Sequence, residues 1–161
     1  MKKILALLGL FISASAFAHE SHGVPMGVPN RLAYEEINRL YQENVVPIFK
    51  IKCFDCHSHQ TTYPWYYKIP GVKQFLDSDI REGLEHFDFT QGFPFGGHHP
   101  ALEQPEAIEE SIAEGDMPPW RYRLMHKGSA LTEREKQDIL NWVRTSRQLL
   151  TLPADSGIEG R

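Results

Sequence analysis

The feature that most constrains this chain is a Cys-x-x-Cys-His run at residues 53–57. Cys53 and Cys56 are the only two cysteines among 161 residues, and His57 follows the second directly. Thiols at this spacing can bind zinc, exchange disulfides or attach a cofactor covalently. Each chemistry needs a different surrounding fold, so the rest of the sequence must discriminate between them.

The surrounding residues disfavour zinc and thiol chemistry. Structural zinc takes four Cys or His ligands, and His59 would have to complete a strained set within seven residues because there is no second cysteine pair. Dithiols of the thioredoxin type accompany a βαβ unit, whereas the segment before Cys53 has helical periodicity. A plain disulfide, common in exported chains, would leave the aromatic content of 11% without a role.

The histidine favours a covalent haem, because Cys-x-x-Cys-His is the attachment signature of c-type haem. Two thiols add across the porphyrin vinyl groups, and His57 then points at the iron from one face. Aromatic side chains cluster after the motif and around Trp120, where they could bury the ring. We therefore predict one covalent haem c attached at Cys53 and Cys56.

The two ends of the chain are interpreted as separate from the fold. Residues 1–18 have two lysines, a short apolar run and an Ala-Phe-Ala site ending at Ala18, which predicts a cleaved secretory signal peptide. An uncleaved anchor is the alternative, but no membrane anchor is expected after cleavage. Residues 19–30 are predicted to be a flexible leader, residues 31–153 the haem domain, and residues 156–161 a foreign protease-cleavage linker.

The charge balance bears on possible partners. The net charge of −4 becomes −6 once residues 1–18 and 156–161 are set aside. An acidic chain is a poor ligand for nucleic acid or for anionic membrane surfaces. We expect instead periplasmic redox proteins as electron donor and acceptor.

Apolar residues recur at helical spacing in two segments, 32–49 and 72–87. Pro105 at the first position and Gly115 past the end predict a short helix over 105–114. Pro47 should bend or end the first helix, and residues 116–120 should be extended. Thr132 and Glu135 form a capping-box pattern before a final helix. No useful strand pattern occurs, so we predict an all-α fold: a small cytochrome c-like helical domain with long loops wrapped around one covalent haem.

The residue facing His57 across the iron would decide the function, since two filled axial positions suit electron transfer and an open one suits gas or peroxide chemistry. Met117 is the preferred sixth ligand because Pro118 and Pro119 stiffen its loop, and His126 is the alternative. His86, His98 and His99 are distal candidates. The histidines of the leader, His19 and His22, and the His98-His99 loop could instead bind a second metal, although a solvent loop is the simpler interpretation.

Further contacts to the haem follow from its chemistry. The second ring nitrogen of His57 needs a hydrogen-bond acceptor, for which we predict a backbone carbonyl near Pro64. The propionates need donors, and the predicted ones flank the iron-binding segments: Trp65, Tyr66, Arg121 and Tyr122.

Several motifs in order resemble the bacterial haem-binding domain family of exported, c-type cytochrome-like domains. They are the run at 53–58, Tyr-Pro-Trp-Tyr at 63–66, residues 79–89, and Gly-Asp-Met-Pro-Pro at 115–119, within a resemblance that spans 45–147. The resemblance implies covalent haem at Cys53 and Cys56 with His57 proximal, and leaves the sixth ligand open. The insert at 91–100 departs from the family pattern.

Together these patterns predict a periplasmic monohaem c-type cytochrome that transfers single electrons through haem ligated by His57 and Met117. The alternative is a haem sensor or peroxidase-like enzyme with an open or displaceable sixth site. A metal-handling protein that uses haem as a redox partner is a third hypothesis.

Overall fold

The computed structural model of this protein describes residues 30–152. The predicted signal peptide, the linker at 156–161 and the leader up to residue 29 lie outside the described residues. Within them the chain forms seven α-helices: α1 (Arg31–Asn44), α2 (Val46–Lys52), α3 (Phe54–His57), α4 (Val72–His86), α5 (Gln104–Glu114), α6 (Trp120–Met125) and α7 (Glu133–Leu150). A 3-10 helix covers Trp65–Lys68.

The all-α prediction is confirmed for the described residues, where an isolated bridge between Asp88 and Gly96 is the nearest approach to a sheet. None of these helices combines the length and the apolar character needed to cross a bilayer. The segment predicted as one helix at 32–49 is two, because α1 ends at Asn44 and α2 begins at Val46. Pro47 lies in the first turn of α2, where its missing N–H costs no helical hydrogen bond.

Helix ends follow the capping signals in the sequence. Thr132 accepts a hydrogen bond from the Glu135 N–H, and the Glu135 carboxylate accepts one from the Thr132 N–H at 2.7 Å, which completes the predicted capping box of α7. Gly115 ends α5 in the left-handed conformation. The short helix α6 was not predicted; Pro119 is extended as expected, but Trp120 already begins a helix.

The core is built where α7 packs between α1 and α5. Tyr41 and Trp142 lie at its centre with ring centroids 5.7 Å apart, and the Trp142 indole N–H donates to the Ile37 carbonyl at 3.1 Å. The Asn30 side-chain amide donates to the Leu149 carbonyl at 3.1 Å, so the beginning of α1 is tied to the end of α7.

The segment that joins α4 to α5 supplies four buried rings to the core. The sequence predicted an irregular loop at 91–100, and its backbone is irregular, but Phe93 and Phe95 are buried with Phe87 and Phe89. The buried Gln104 side chain accepts from the Phe95 N–H and donates to the Phe95 carbonyl. These bonds give a helix-free segment a defined backbone next to the cysteine motif.

Candidate functional site

Both cysteines lie on the wall of one cavity of about 450 Å³. Cys53 ends α2 and Cys56 lies in α3, and neither forms a disulfide. Burial raises the pKa of Cys53 to about 12 and that of Cys56 to about 11. A reactive dithiol has a depressed pKa, so this environment does not suit thiol–disulfide exchange.

Helix α4 packs against the motif at Gly83. A Cβ at this position would lie 2.5 Å from the carbonyl oxygen of Cys56 and 3.3 Å from its Cβ. Only a residue without a side chain permits this approach. Gly83 therefore determines how closely α4 can cover the cysteine motif.

His57 is held from two sides by the segment after α4. Its Nδ1 lies 3.0 Å from the Phe87 carbonyl oxygen, and its own carbonyl accepts a hydrogen bond from the Phe89 N–H at 2.8 Å. Because a carbonyl can only accept, Nδ1 must carry the proton, which leaves Nε2 with the lone pair that binds a metal. Burial lowers the pKa of His57, so the imidazole is neutral, as ligation requires.

This contact corrects the prediction that a carbonyl near Pro64 would orient His57. Phe87 is 30 residues away in sequence, and it reaches His57 because α4, which it follows directly, packs against α3. Pro64 lines a separate, smaller crevice behind Tyr122.

Met117 lines the same cavity as the cysteines and His57, together with Pro118 and Pro119. Its segment joins α5 to α6, and α6 is tied to the motif side by two polar contacts. Arg121 pairs with Asp79 of α4 at 3.1 Å, and the Tyr122 hydroxyl donates to the Asp55 carboxylate of α3 at 2.7 Å.

His126 lies outside this cavity. Its ring stacks on Tyr122 with centroids 3.9 Å apart, Nδ1 lies 3.1 Å from the Tyr122 carbonyl, and Nε2 is 3.4 Å from the Tyr66 hydroxyl. Both ring nitrogens thus have protein partners in the crevice behind Tyr122.

Of the predicted propionate donors, Arg121 and Tyr122 line the cavity and Trp65 and Tyr66 do not. Trp65 is 81% exposed and rests edge-on against Tyr66. Both residues are close to the motif in sequence, but they lie in the 3-10 helix and do not contribute to the cavity lining.

Sequence reasoning missed several residues that shape the site. Lys52 is buried, and its Nζ donates to the carbonyls of Gly128 and Ala130 and lies 3.5 Å from Glu135. This anchors the turn before α7 to the cysteine motif. No local pattern marks Lys52, because its partners are more than 70 residues away.

The cavity suits a haem on the chemistry of its lining. It presents two thiols and one neutral imidazole at the spacing of the attachment signature, a thioether from Met117, and a wall of apolar side chains that a porphyrin face could contact. The residues of that wall are Phe49, Phe87, Phe89, Ile108, Ile112, Leu131 and Ile139.

A helical domain with this donor set belongs to the class of haem-binding proteins, and comparison with known families agrees. The sequence model of the family described as "Haem-binding domain" matches residues 11–145, so the chain belongs to that family. It is also similar to cytochrome c peroxidase Ccp of Escherichia coli (strain K12), with 29% identity over 111 residues. That match covers 68% of this chain but only 24% of the peroxidase. No solved structure matches the chain significantly.

Proposed function

We propose that this haem-binding protein is a periplasmic monohaem c-type cytochrome that passes single electrons between redox proteins. Cys53 and Cys56 would hold the ring as thioethers, and His57 and Met117 would bind its iron. The observation that carries the proposal is the grouping of all four residues around one cavity while both nitrogens of His126 are bonded elsewhere.

The haem supplies a single-electron couple, and histidine–methionine ligation raises its reduction potential. The chain supplies the groups that orient His57 and support the loop of Met117. The Phe87 carbonyl orients His57 and keeps its Nδ1 protonated. The ties from Arg121 to Asp79 and from Tyr122 to Asp55 hold α6, and with it the Met117 loop, over the motif. A weak thioether ligand needs such support because its own affinity is low.

A peroxidase-like or sensor function is the second candidate. The similarity to a cytochrome c peroxidase favours it, although this chain spans about a quarter of that relative's length. His86 and His99 line the cavity and could act as acid–base groups. Their position argues against this role, because both lie next to Phe87, whose carbonyl orients the proximal His57. His86 directly precedes Phe87 in the chain, and the His99 ring stacks on the Phe87 ring.

Absorption spectra of the mature protein, made with a working cytochrome c maturation system, distinguish the two candidates. We expect a low-spin spectrum, a far-red charge-transfer band in the ferric form, and no change when carbon monoxide is added to the ferrous form. A clear shift with carbon monoxide would favour the enzyme or sensor. Absence of covalently bound haem on a denaturing gel would contradict both.

Two single variants test the sixth ligand. Met117→Ala should abolish the far-red band and make the ferrous protein react with carbon monoxide, whereas His126→Ala should retain the wild-type spectrum. The opposite pattern would transfer the axial role to His126. The periplasmic assignment is tested by cell fractionation and by intact mass, which should show a chain that begins at His19.

A further inference from the structure

Three histidines that are separated in sequence meet beside the haem cavity. His86 is the last residue of α4, and His98 and His99 lie in the connection to α5. The ring centroids are 4.5 Å apart for His86 and His98, 4.4 Å for His98 and His99, and 6.1 Å for His86 and His99. One nitrogen from each ring lies within 4.8 Å of the other two.

The backbone that carries this cluster is held in place. The His98 N–H donates to the Glu85 carbonyl at 2.9 Å, which joins the loop to the end of α4. Gly97 has φ +104°, and a Cβ there would lie 2.4 Å from the His86 carbonyl oxygen, so glycine alone allows the loop to approach α4.

The third histidine is fixed by buried groups. The Gln104 side chain, which is 1% exposed, donates to the His99 carbonyl at 3.0 Å. The His99 ring stacks on Phe87 with centroids 4.7 Å apart and an interplanar angle of 12°. Preorganised ligands of this kind need little rearrangement to bind a metal.

The ring nitrogens are available for a ligand. Among residues 30–152, none of the hydrogen bonds or ion pairs engages a side-chain nitrogen of His86, His98 or His99. His59 and His126 differ, since each has a protein partner. Imidazole is a preferred ligand of zinc, copper and nickel.

We propose that His86, His98 and His99 bind one divalent late transition-metal ion through three imidazole nitrogens. The exposed rings of His86 and His98 leave a fourth position open to water, the arrangement of a three-histidine zinc site. The sequence favoured a solvent loop here because it offered two adjacent histidines without a third partner; the fold supplies His86. His86 and His99 also line the cavity, but the site uses none of the four residues proposed to hold the haem, and it does not depend on the proposed electron transfer.

The test is zinc binding to the full mature holoprotein, prepared without a histidine tag, in competition with a chromogenic chelator. Zinc is chosen because it is redox-silent and leaves the haem oxidation state unchanged. We expect one zinc per chain. His98→Ala removes an exposed ligand, and His99→Phe removes a nitrogen but keeps an aromatic ring against Phe87; each should weaken binding by at least about tenfold.

Two controls locate the binding. His59→Ala removes an exposed histidine outside the cluster, and a His19→Ala/His22→Ala double variant removes the leader imidazoles; both should bind zinc as the wild type does. Loss of binding in the leader variant, or unchanged binding in both cluster variants, would overturn the proposal, as would no stoichiometric binding by the wild type. The haem spectrum of each variant is recorded as a check that the fold is retained. The wild-type spectrum tests the proposed function separately, because zinc binding and haem ligation are read out by different measurements.

Discussion

Replacement of Gly83 by alanine tests the close packing of α4 against the cysteine motif. The new Cβ would lie 2.5 Å from the Cys56 carbonyl oxygen, closer than carbon and oxygen atoms approach without displacement. The clashing atom belongs to the backbone, so no side-chain rotation relieves it. Helix α4 must move away from α3, and Phe87, which orients His57, follows the end of α4.

The expected magnitude has two opposing parts. Forcing one extra carbon into a packed interface costs about 1–3 kcal/mol. Alanine in place of glycine within a helix stabilises the folded state by roughly 0.5–1 kcal/mol, because alanine loses less backbone entropy on folding. The net loss in the free energy of unfolding is therefore about 0–2.5 kcal/mol with a midpoint near 1 kcal/mol, and that midpoint lowers Tm by roughly 3–5 °C for a domain of this size.

The assay is denaturant and thermal unfolding of the holoprotein followed by far-ultraviolet circular dichroism, with the haem content measured in parallel. Gly71→Ala is the matched control, because Gly71 lies at the beginning of the same helix with φ +87° and nothing within 4 Å of its Cβ position. It should lose stability through backbone strain and leave the haem spectrum unchanged. A Gly83→Ala protein at least as stable as the wild type would refute the steric argument.

Two further substitutions address buried polar contacts around the site. Lys52→Met keeps the apolar stem but leaves two loop carbonyls without their donor, and it should lower the free energy of unfolding by about 2–4 kcal/mol in denaturant. The control Lys136→Met, at a more exposed lysine, should change that free energy little. Equal effects of the two variants would contradict the anchoring role of Lys52. Gln104→Leu removes two buried hydrogen bonds and one partly buried one at similar volume. It should also cost about 2–4 kcal/mol and weaken zinc binding, whereas unchanged zinc affinity would show that the His99 carbonyl needs no support.

Much of the fold could be predicted because its signals are local. The capping box at Thr132, the spacing of apolar residues in α4, and the proline and glycine at the two ends of α5 each act within a few residues. The break between α1 and α2 was only partly anticipated. It occurs at Val45, which is fully buried, so packing as well as Pro47 determines where the helix ends.

The sequence by itself determined the class of site. Cys53, Cys56 and His57 lie within five residues, so this signature of haem attachment is complete without any tertiary contact. The match to the haem-binding domain family is consistent with that local signal.

Only the tertiary structure decided which distant groups serve the site. It brings Phe87 to His57, seats Met117 on the cavity wall, places His126 behind Tyr122 and joins His86 to His98 and His99. These pairings depend on how α4 and α6 pack on α3, and many alternative packings satisfy the same helical periodicity. Contacts between residues far apart in the chain leave no periodic trace in one sequence, so they become visible only when the helices are assembled.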